Sequence, residues 1–531
     1  MKRKLLLGLA LALGSVAASA QWVPDRGDGT YVNPIIFADY ADPDAIRVGD
    51  DYWMVASSFT SFPGIPVLHS RDMVNWEIVS YVYDRLPSGK YDRPQHGEGS
   101  WAPAIRYHDG MYYVYFCTPW DGLYVARATD PRGPWDLTCM LEVTKWEDPC
   151  PFWDEDGQAY LVHSIHRGGP AIIHRMSPDG LRLLDDGVTV YHDAKTNPVL
   201  EGMKMYKRDG WYYILAPAGG VSKGWQTQLR SRDIYGPYEA RRIMEQGDTD
   251  INGPHQGALL DTPDGNEWWF INFQSHGIHG RVAHLQPAHW TADGNLVIGV
   301  DPDGDGTGNP VHSYRTPAIP GAADIRIPQT SDTFDSPVRG LQWQWQAHER
   351  PEWSSLTARP GHMRLYAAQC PSEKGNLYYA GNLLLQKLPE PSYNATTALD
   401  GSALTANGDR AGLITMGDEY SYIALVRISD GWEIQVVTGK NDRLAVTPRV
   451  KASAPVSNPD GVQLRATLPG GDMMSYSYSL DGGTTFIPLG KEYKVMPGTW
   501  VGAKTGIFAS TPSVVPSQGY ADFDWFEIKT L

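Results

Sequence analysis

Five stretches of this chain share one sequence of polar, apolar and aromatic positions. They are DPDAIRVGDDYWMV from Asp42, WAPAIRYHDGMYYVY from Trp101, DPCPFWDEDGQAYLV from Asp148, EGMKMYKRDGWYYIL from Glu201 and HQGALLDTPDGNEWWFI from His255. Each opens on a polar or aromatic residue, runs apolar, breaks at an acidic-glycine or paired-aspartate step and resumes with aromatic β-formers. The pattern predicts a strand, a tight turn and a second strand, because Asp-Gly supplies positive φ and Tyr, Trp, Val and Ile suit a pleated surface. The turn is expected at one offset at Asp109/Gly110, Asp156/Gly157 and Asp209/Gly210, at Asp50/Asp51 in the first copy, and one residue late at Asp264/Gly265. Successive starts (42, 101, 148, 201, 255) lie 59, 47, 53 and 54 residues apart, a period that means radial or solenoid repetition. Five four-stranded blades make a propeller. On this reading the five opening residues are equivalent and converge on one axis, and three of them are carboxylates: Asp42, Asp148 and Glu201.

Between the repeats lie outer-strand hairpins, HSRDMVNWEIV from His69, ATDPRGPWDL from Ala128 and SRDIYGPYEA from Ser231. The repeat region is assigned to a propeller domain over 21–320, followed by a linker at 321–330. DPDGDGTGNP from Asp301 has the spacing of a calcium loop, but His312 stands where a bidentate Glu belongs, so it is read as an acidic surface turn. From 331 to 531 the pattern changes to short alternating strands, among them SYIALVRI from Ser421, GWEIQVV from Gly431 and a last strand, ADFDWFEI, from Ala521. An antiparallel β-sandwich is the natural architecture. The whole chain is expected to be all-β. PAIPGAADIRIPQT from Pro317 is short and partly apolar, which predicts a docked second domain rather than a tethered one.

The N-terminus adds a compartment. Lys2, Arg3 and Lys4 precede an apolar run, Leu5 to Leu13, and Ala18, Ser19 and Ala20 complete a cleavage site, so residues 1–20 read as a signal peptide of a secreted or periplasmic protein. No cysteine follows to take a lipid anchor. A formal net charge of −16 argues against nucleic acid, which needs clustered Lys and Arg, and leaves a neutral ligand as the better partner. Four cysteines without metal-ligand spacing do not make a disulfide framework.

An Asp or Glu opening a strand is ordinarily a cap or a solvated turn residue. Three on equivalent positions of a radial repeat face one another across a funnel. There, desolvation and mutual repulsion separate their pKa values, as an acid and a base require. Two carboxylates bracketing a glycosidic bond suffice for hydrolysis, and a third can hold the acid in place. Trp101 suits an apolar wall for a sugar ring, or a core position. His255 on the axis is a candidate substrate contact and a candidate ligand for a cation. Arg281 alone would be read as a surface cation.

Asp42-Pro43-Asp44 in its context, Trp101 in WAPAIRYHDG, Asp148 in DPCPFWDEDG and Glu201-Gly202 together resemble the signature of glycoside hydrolase family 43. SSFTSFPGIPVLHSRDMVNW and GRVAHLQPAHW are similar to its β-xylosidase and α-L-arabinofuranosidase members, and the C-terminal part to their concanavalin-like jelly roll. The resemblance implies an inverting, exo-acting enzyme on plant cell-wall oligosaccharides, with Asp42 as base, Asp148 as orienter and pKa modulator, and Glu201 as acid. Phe59 and Trp101 would line the pocket of the sugar being released, with Arg281 hydrogen-bonding that sugar or Asp148. His255 would sit over a metal ion, usually calcium, and Trp500 would close the pocket. Met203 in place of a common proline, and GPHQG in place of Gly-His-Gly, depart from the pattern without touching a carboxylate. A non-catalytic carbohydrate-binding propeller is the rival reading; it has no need of all three carboxylates.

Overall fold

Each aromatic hairpin becomes the inner half of a blade. The computed structural model describes residues 21–321, 325–372, 374–441, 447–512 and 516–531; the expected signal peptide lies outside them. Four sheets of four antiparallel strands begin with Asp44–Val48, Trp101–His108, Trp146–Trp153 and Lys204–Arg208, and each continues outward in chain order. The fifth begins with His255–Asp261 and is completed by the N-terminal strand Ile36–Asp39, which pairs with Arg281–Trp290. Closing the ring with a strand from the far end of the chain removes the exposed edge an open sheet would carry. The first strands pack side by side from the fifth blade through the first to the fourth. Ion pairs stitch the blades: Arg47 to Asp261 at 2.7 Å, and Arg106 to the buried Asp44 at 2.7 Å. Asp301 folds back on its own turn, accepting from the amides of Gly304 and Gly306 at 2.8 Å each.

The second domain is a sandwich of two eight-stranded sheets. One runs through Leu383–Lys387, Lys504–Thr511, Arg410–Met416, Glu419–Ile428 and Gly431–Lys440, the other through Met363–Tyr366, Tyr520–Thr530, Tyr393–Asp400 and Val462–Leu468. Their inner faces share a core that includes Trp343, Leu413, Ile423, Leu464 and Phe523. Tyr520–Thr530 lies inside its sheet, between Met363–Tyr366 and Tyr393–Asp400. Among the described residues there is no α-helix, only four short 3-10 turns. All four cysteines are free; Cys117, Cys150 and Cys370 are buried and Cys139 exposed.

The two domains are joined by backbone as well as side chains. Phe62 and Trp345 exchange both amide-carbonyl bonds, at 2.9 and 2.7 Å, and the Ala503 amide donates to the Ile278 carbonyl at 2.7 Å. His279 pairs with the Glu390 carbonyl at 2.9 Å, and Lys504 of the sandwich reaches Ser61 of the propeller. Such strand-like pairing fixes one domain relative to the other, in the manner the short, partly apolar connection implied.

Candidate active site

The backbone at the head of each inner strand sets the site. φ turns positive at Asp42 (53°), Ala102 (38°), Asp148 (58°), Gly202 (65°) and Gln256 (21°), and these positions are the equivalent ones. The expected equivalence of Asp42, Trp101, Asp148, Glu201 and His255 is therefore corrected by one residue in three copies. The cause is the first hairpin. Val48 pairs with Asp51, so the chain turns at Gly49-Asp50 rather than Asp50/Asp51, and counting back from the turn overshoots Asp42 by one. Asp42 and Asp148 occupy the left-handed position, whereas Trp101, Glu201, His255 and Glu147 occupy the one before it. Ladder register slips beside it in three blades, between Trp101 and Ala104, Glu147 and Cys150, and His255 and Gly257. A bulge of this kind re-aims side chains, so both members of a consecutive pair reach the axis.

The result is a cavity of about 310 Å³ whose wall includes Asp42, Phe59, Trp101, Glu147, Asp148, His166, Glu201, Arg281 and Trp500. Asp42 is buried, and each of its oxygens is held: Ser57 Oγ donates to Oδ2 at 2.6 Å and Arg281 Nη1 to Oδ1 at 2.6 Å. Arg281 thus pairs with Asp42, not with Asp148 as the resemblance allowed. The guanidinium also lies over Phe273 and Phe59, 5.2 and 5.9 Å from their ring centres. Ser57 Oγ in turn accepts from the Ala102 amide at 2.7 Å, tying Asp42 to the next blade.

Asp148 Oδ2 accepts from the Gly202 amide at 2.6 Å and from Ser164 Oγ at 3.2 Å. Glu147, Asp148 and Glu201 each place a carboxylate oxygen within 4.8 Å of the others, a group that does not include Asp42. Burial, reinforced by the Glu201 charge, pushes Asp148 up to about 7, against the pull of the Gly202 amide. Burial and then the Asp148 charge push Glu147 up to about 9. Like charges this close hold a proton between them at neutral pH. Glu201 Oε1 lies 2.9 Å from His255 Nε2, which leaves its other oxygen for the cavity.

His255 is not on the cavity wall. It is 1% exposed and stands behind Glu201, so the substrate contact expected of it is corrected to a hydrogen bond that orients the carboxylate. Its Nδ1 is buried without a partner. Trp500 belongs to the sandwich, yet its indole sits 6.1 Å from that of Trp101 at an interplanar angle of 66°. The loop is positioned by Asp39, which accepts from the Arg281 amide at 2.9 Å and from the Gly502 amide at 2.8 Å. Gly280 makes this possible: with φ at 71°, a Cβ there would lie 2.4 Å from Asp39 and 2.5 Å from the Gly502 nitrogen.

Sequence reasoning missed Glu147, Ser57 and His166. Glu147 adjoins Asp148, and neighbours on a strand normally face opposite ways, so only the bulge reveals that both face the cavity.

Comparison with known proteins agrees with this fold. The family model "Glycosyl hydrolases family 43" matches residues 31–296 and "Beta xylosidase C-terminal Concanavalin A-like domain" matches 331–529. A putative beta-xylosidase of Xylanibacter ruminicola is 44% identical over 91% of this chain and 86% of its own length. A beta-xylosidase of Formosa agariphila is 34% identical, covering 96% of this chain and 92% of its own. The crystal structure of a xylan beta-1,4-xylosidase from Bacillus halodurans C-125 superposes with a TM-score of 0.83 at 26% identity, covering 94% of this chain and 99% of that one. A five-bladed propeller with an axial carboxylate cluster, capped by a concanavalin-like sandwich and matched by both family models, makes this chain a member of glycoside hydrolase family 43.

Proposed function

We propose that this protein is an exo-acting, inverting β-xylosidase that releases xylose from the non-reducing ends of plant xylo-oligosaccharides. The observation that carries the reading is the size of the cavity and its lining by both domains. At about 310 Å³ it lies at the small end of ligand pockets, room for a terminal sugar rather than for a threaded chain, and Trp500 from the second domain forms part of its wall. The names of the relatives supply the pentose.

Asp42 serves as the base. Held by Ser57 and Arg281 and set apart from the other three carboxylates, it activates water on the far face of the sugar. Glu201, oriented by His255, protonates the leaving oxygen, and Asp148 holds a proton within reach of it. Phe59 and Trp101 offer ring faces to the sugar. An α-L-arabinofuranosidase is the alternative, since the two pentoses place their hydroxyls similarly. Export on a cleaved leader, proposed from Lys2 to Ala20, fits a polymeric substrate outside the cytoplasm.

The buried, unpartnered Nδ1 of His255 is a donor that suits a mostly water-coordinated calcium on the axis, because calcium takes oxygen ligands and His255 offers one nitrogen. Bound there, the ion would supply positive charge behind Glu201. Kinetics on aryl β-xyloside and aryl α-arabinofuranoside side by side test the substrate, and proton NMR of the first-formed sugar tests the mechanism. Xyloside turnover with the opposite anomer released first is expected; release of the same anomer refutes inversion.

A further inference from the structure

Beyond the three carboxylates, the cavity holds a hydrogen-bonded carboxyl-imidazole pair for which hydrolysis itself has no use. Glu147 is 4% exposed, and its Oε2 lies 2.9 Å from His166 Nδ1. Its Oε1 is buried and has no partner, although the residue lines the cavity. A buried carboxyl oxygen left unpaired is costly unless a ligand completes it. His166 also lines the cavity, and its Nε2 makes no hydrogen bond among the described residues. Two groups therefore wait on one wall, side by side, each joined to the other through its second heteroatom.

Their protonation makes them complementary. Burial holds Glu147 in its acid form, and burial, with Arg167 nearby, keeps His166 neutral by lowering its pKa. A neutral carboxyl and a neutral imidazole carry two exchangeable protons between them. One lies in their mutual hydrogen bond. The other points outward, from Oε1 or from Nε2, and the atom that lacks it is an acceptor. In either arrangement the pair shows the cavity one donor and one acceptor, the match for two neighbouring hydroxyls of a sugar.

Position decides which sugar. Glu147 approaches Glu201, the residue that faces the glycosidic oxygen, while Asp42 on the water side is outside that group. Beyond the wall, His166 meets Trp120, whose ring lies edge-on to the imidazole at 5.8 Å and is 42% exposed. The line runs from the proposed acid to an exposed ring. We propose that Glu147 and His166 bind the leaving-group sugar of the substrate through two adjacent hydroxyls, with Trp120 as the exposed ring beside it. The inference rests on the glycosidase reading above and adds a specificity site to it.

The test compares xylobiose, which has a leaving sugar, with p-nitrophenyl β-xyloside, whose leaving group offers no hydroxyl to the pair. In His166→Ala and in Glu147→Ala the ratio of kcat/KM for xylobiose to that for the aryl xyloside falls about tenfold or more, mainly through the KM for xylobiose, since each hydrogen bond contributes roughly fivefold. Glu147→Gln, neutral and still able to donate and accept, keeps the ratio within about threefold. A ratio unmoved in both alanine variants overturns the assignment, whatever happens to the absolute rates, because a merely structural pair lowers both substrates together. Thermal melting shows whether Glu147→Ala folds, and His166→Ala decides the matter if it does not. Wild-type enzyme that cleaves neither xyloside overturns the xylosidase reading and this assignment with it; wild-type enzyme that cleaves both while the ratio stays fixed overturns this assignment alone.

Discussion

Replacing Glu201 with Gln isolates the proton that the proposed acid delivers. His255 Nε2 meets Glu201 Oε1 at 2.9 Å, and a Gln carbonyl oxygen in the same place accepts the same bond, so the side chain stays where it was. The amide cannot protonate the leaving oxygen. The loss is therefore that of general-acid catalysis, about 10²–10⁴-fold, or roughly 3–5 kcal/mol on the barrier at 1.36 kcal/mol per tenfold. Xylobiose must expel its second xylose as a poor alkoxide and should show the whole of it in kcat. p-Nitrophenyl β-xyloside expels a stable phenolate and should lose less than tenfold. Asp42→Asn, which removes the group that activates water, should be severe on both. Matched steady-state kinetics on the two substrates, with thermal melting to establish that the variants fold, give the comparison. Equal losses of Glu201→Gln on both substrates, or retained turnover of xylobiose, would refute the assignment of Glu201 as acid.

Three further outcomes follow from the same contacts. Glu147 has a raised folded pKa, so its contribution to stability is present in full below its unfolded value near 4.5 and is lost as pH rises toward about 9. Glu147→Gln should therefore raise the melting temperature by about 5 °C at pH 8 and hardly at all at pH 4, and an equal shift at both would count against a buried, protonated Glu147. Truncation after Thr330 should give inactive or poorly soluble protein, whereas Trp500→Ala should weaken pentoside turnover in a folded enzyme; a soluble, fully active propeller would sink the docked-domain reading. Exhaustive chelation should lower activity or melting temperature if calcium sits beside His255, and no change in either would dispose of the ion.

Much of this molecule was legible because two of its signals are local. Acidic-glycine turns flanked by aromatic strands mark the hairpins wherever they occur, and their spacing alone counts the blades. What sequence misplaced depends on backbone that no local signal records. The first hairpin turns at Gly49-Asp50 with nothing in the composition to mark it, so Asp42 was set level with Trp101 and Glu201 when it is level with Ala102 and Gly202. A bulge between Glu147 and Cys150 hid Glu147. His255 opens the inner strand of its blade, but whether it faces sugar or carboxylate depends on which side of Glu201 it stands, a matter of packing. Arg281 found Asp42 because the strand that closes the ring, Ile36–Asp39, lies beside its own strand, a pairing of residues some 240 positions apart.

That closing strand also explains why one short loop of a distant domain can matter to catalysis. Asp39 ends the strand three residues before Asp42 and binds with one oxygen the amide of Arg281, the partner of Asp42, and with the other the amide of Gly502, two residues past Trp500. The proposed base Asp42, its guanidinium partner and the loop of Trp500 therefore share a single anchor. Gly280 lies against the same carboxylate with no room for a side chain, and Lys504, buried at the same interface and lowered to about 7 by desolvation, is drawn back toward its charge by Asp39. A shift of the sandwich would pull on Asp39, and through it on the segment that sets Asp42. The two domains are thus coupled at the site itself: the loop that carries Trp500 and the strand that carries Arg281, the partner of Asp42, are held by the same side chain.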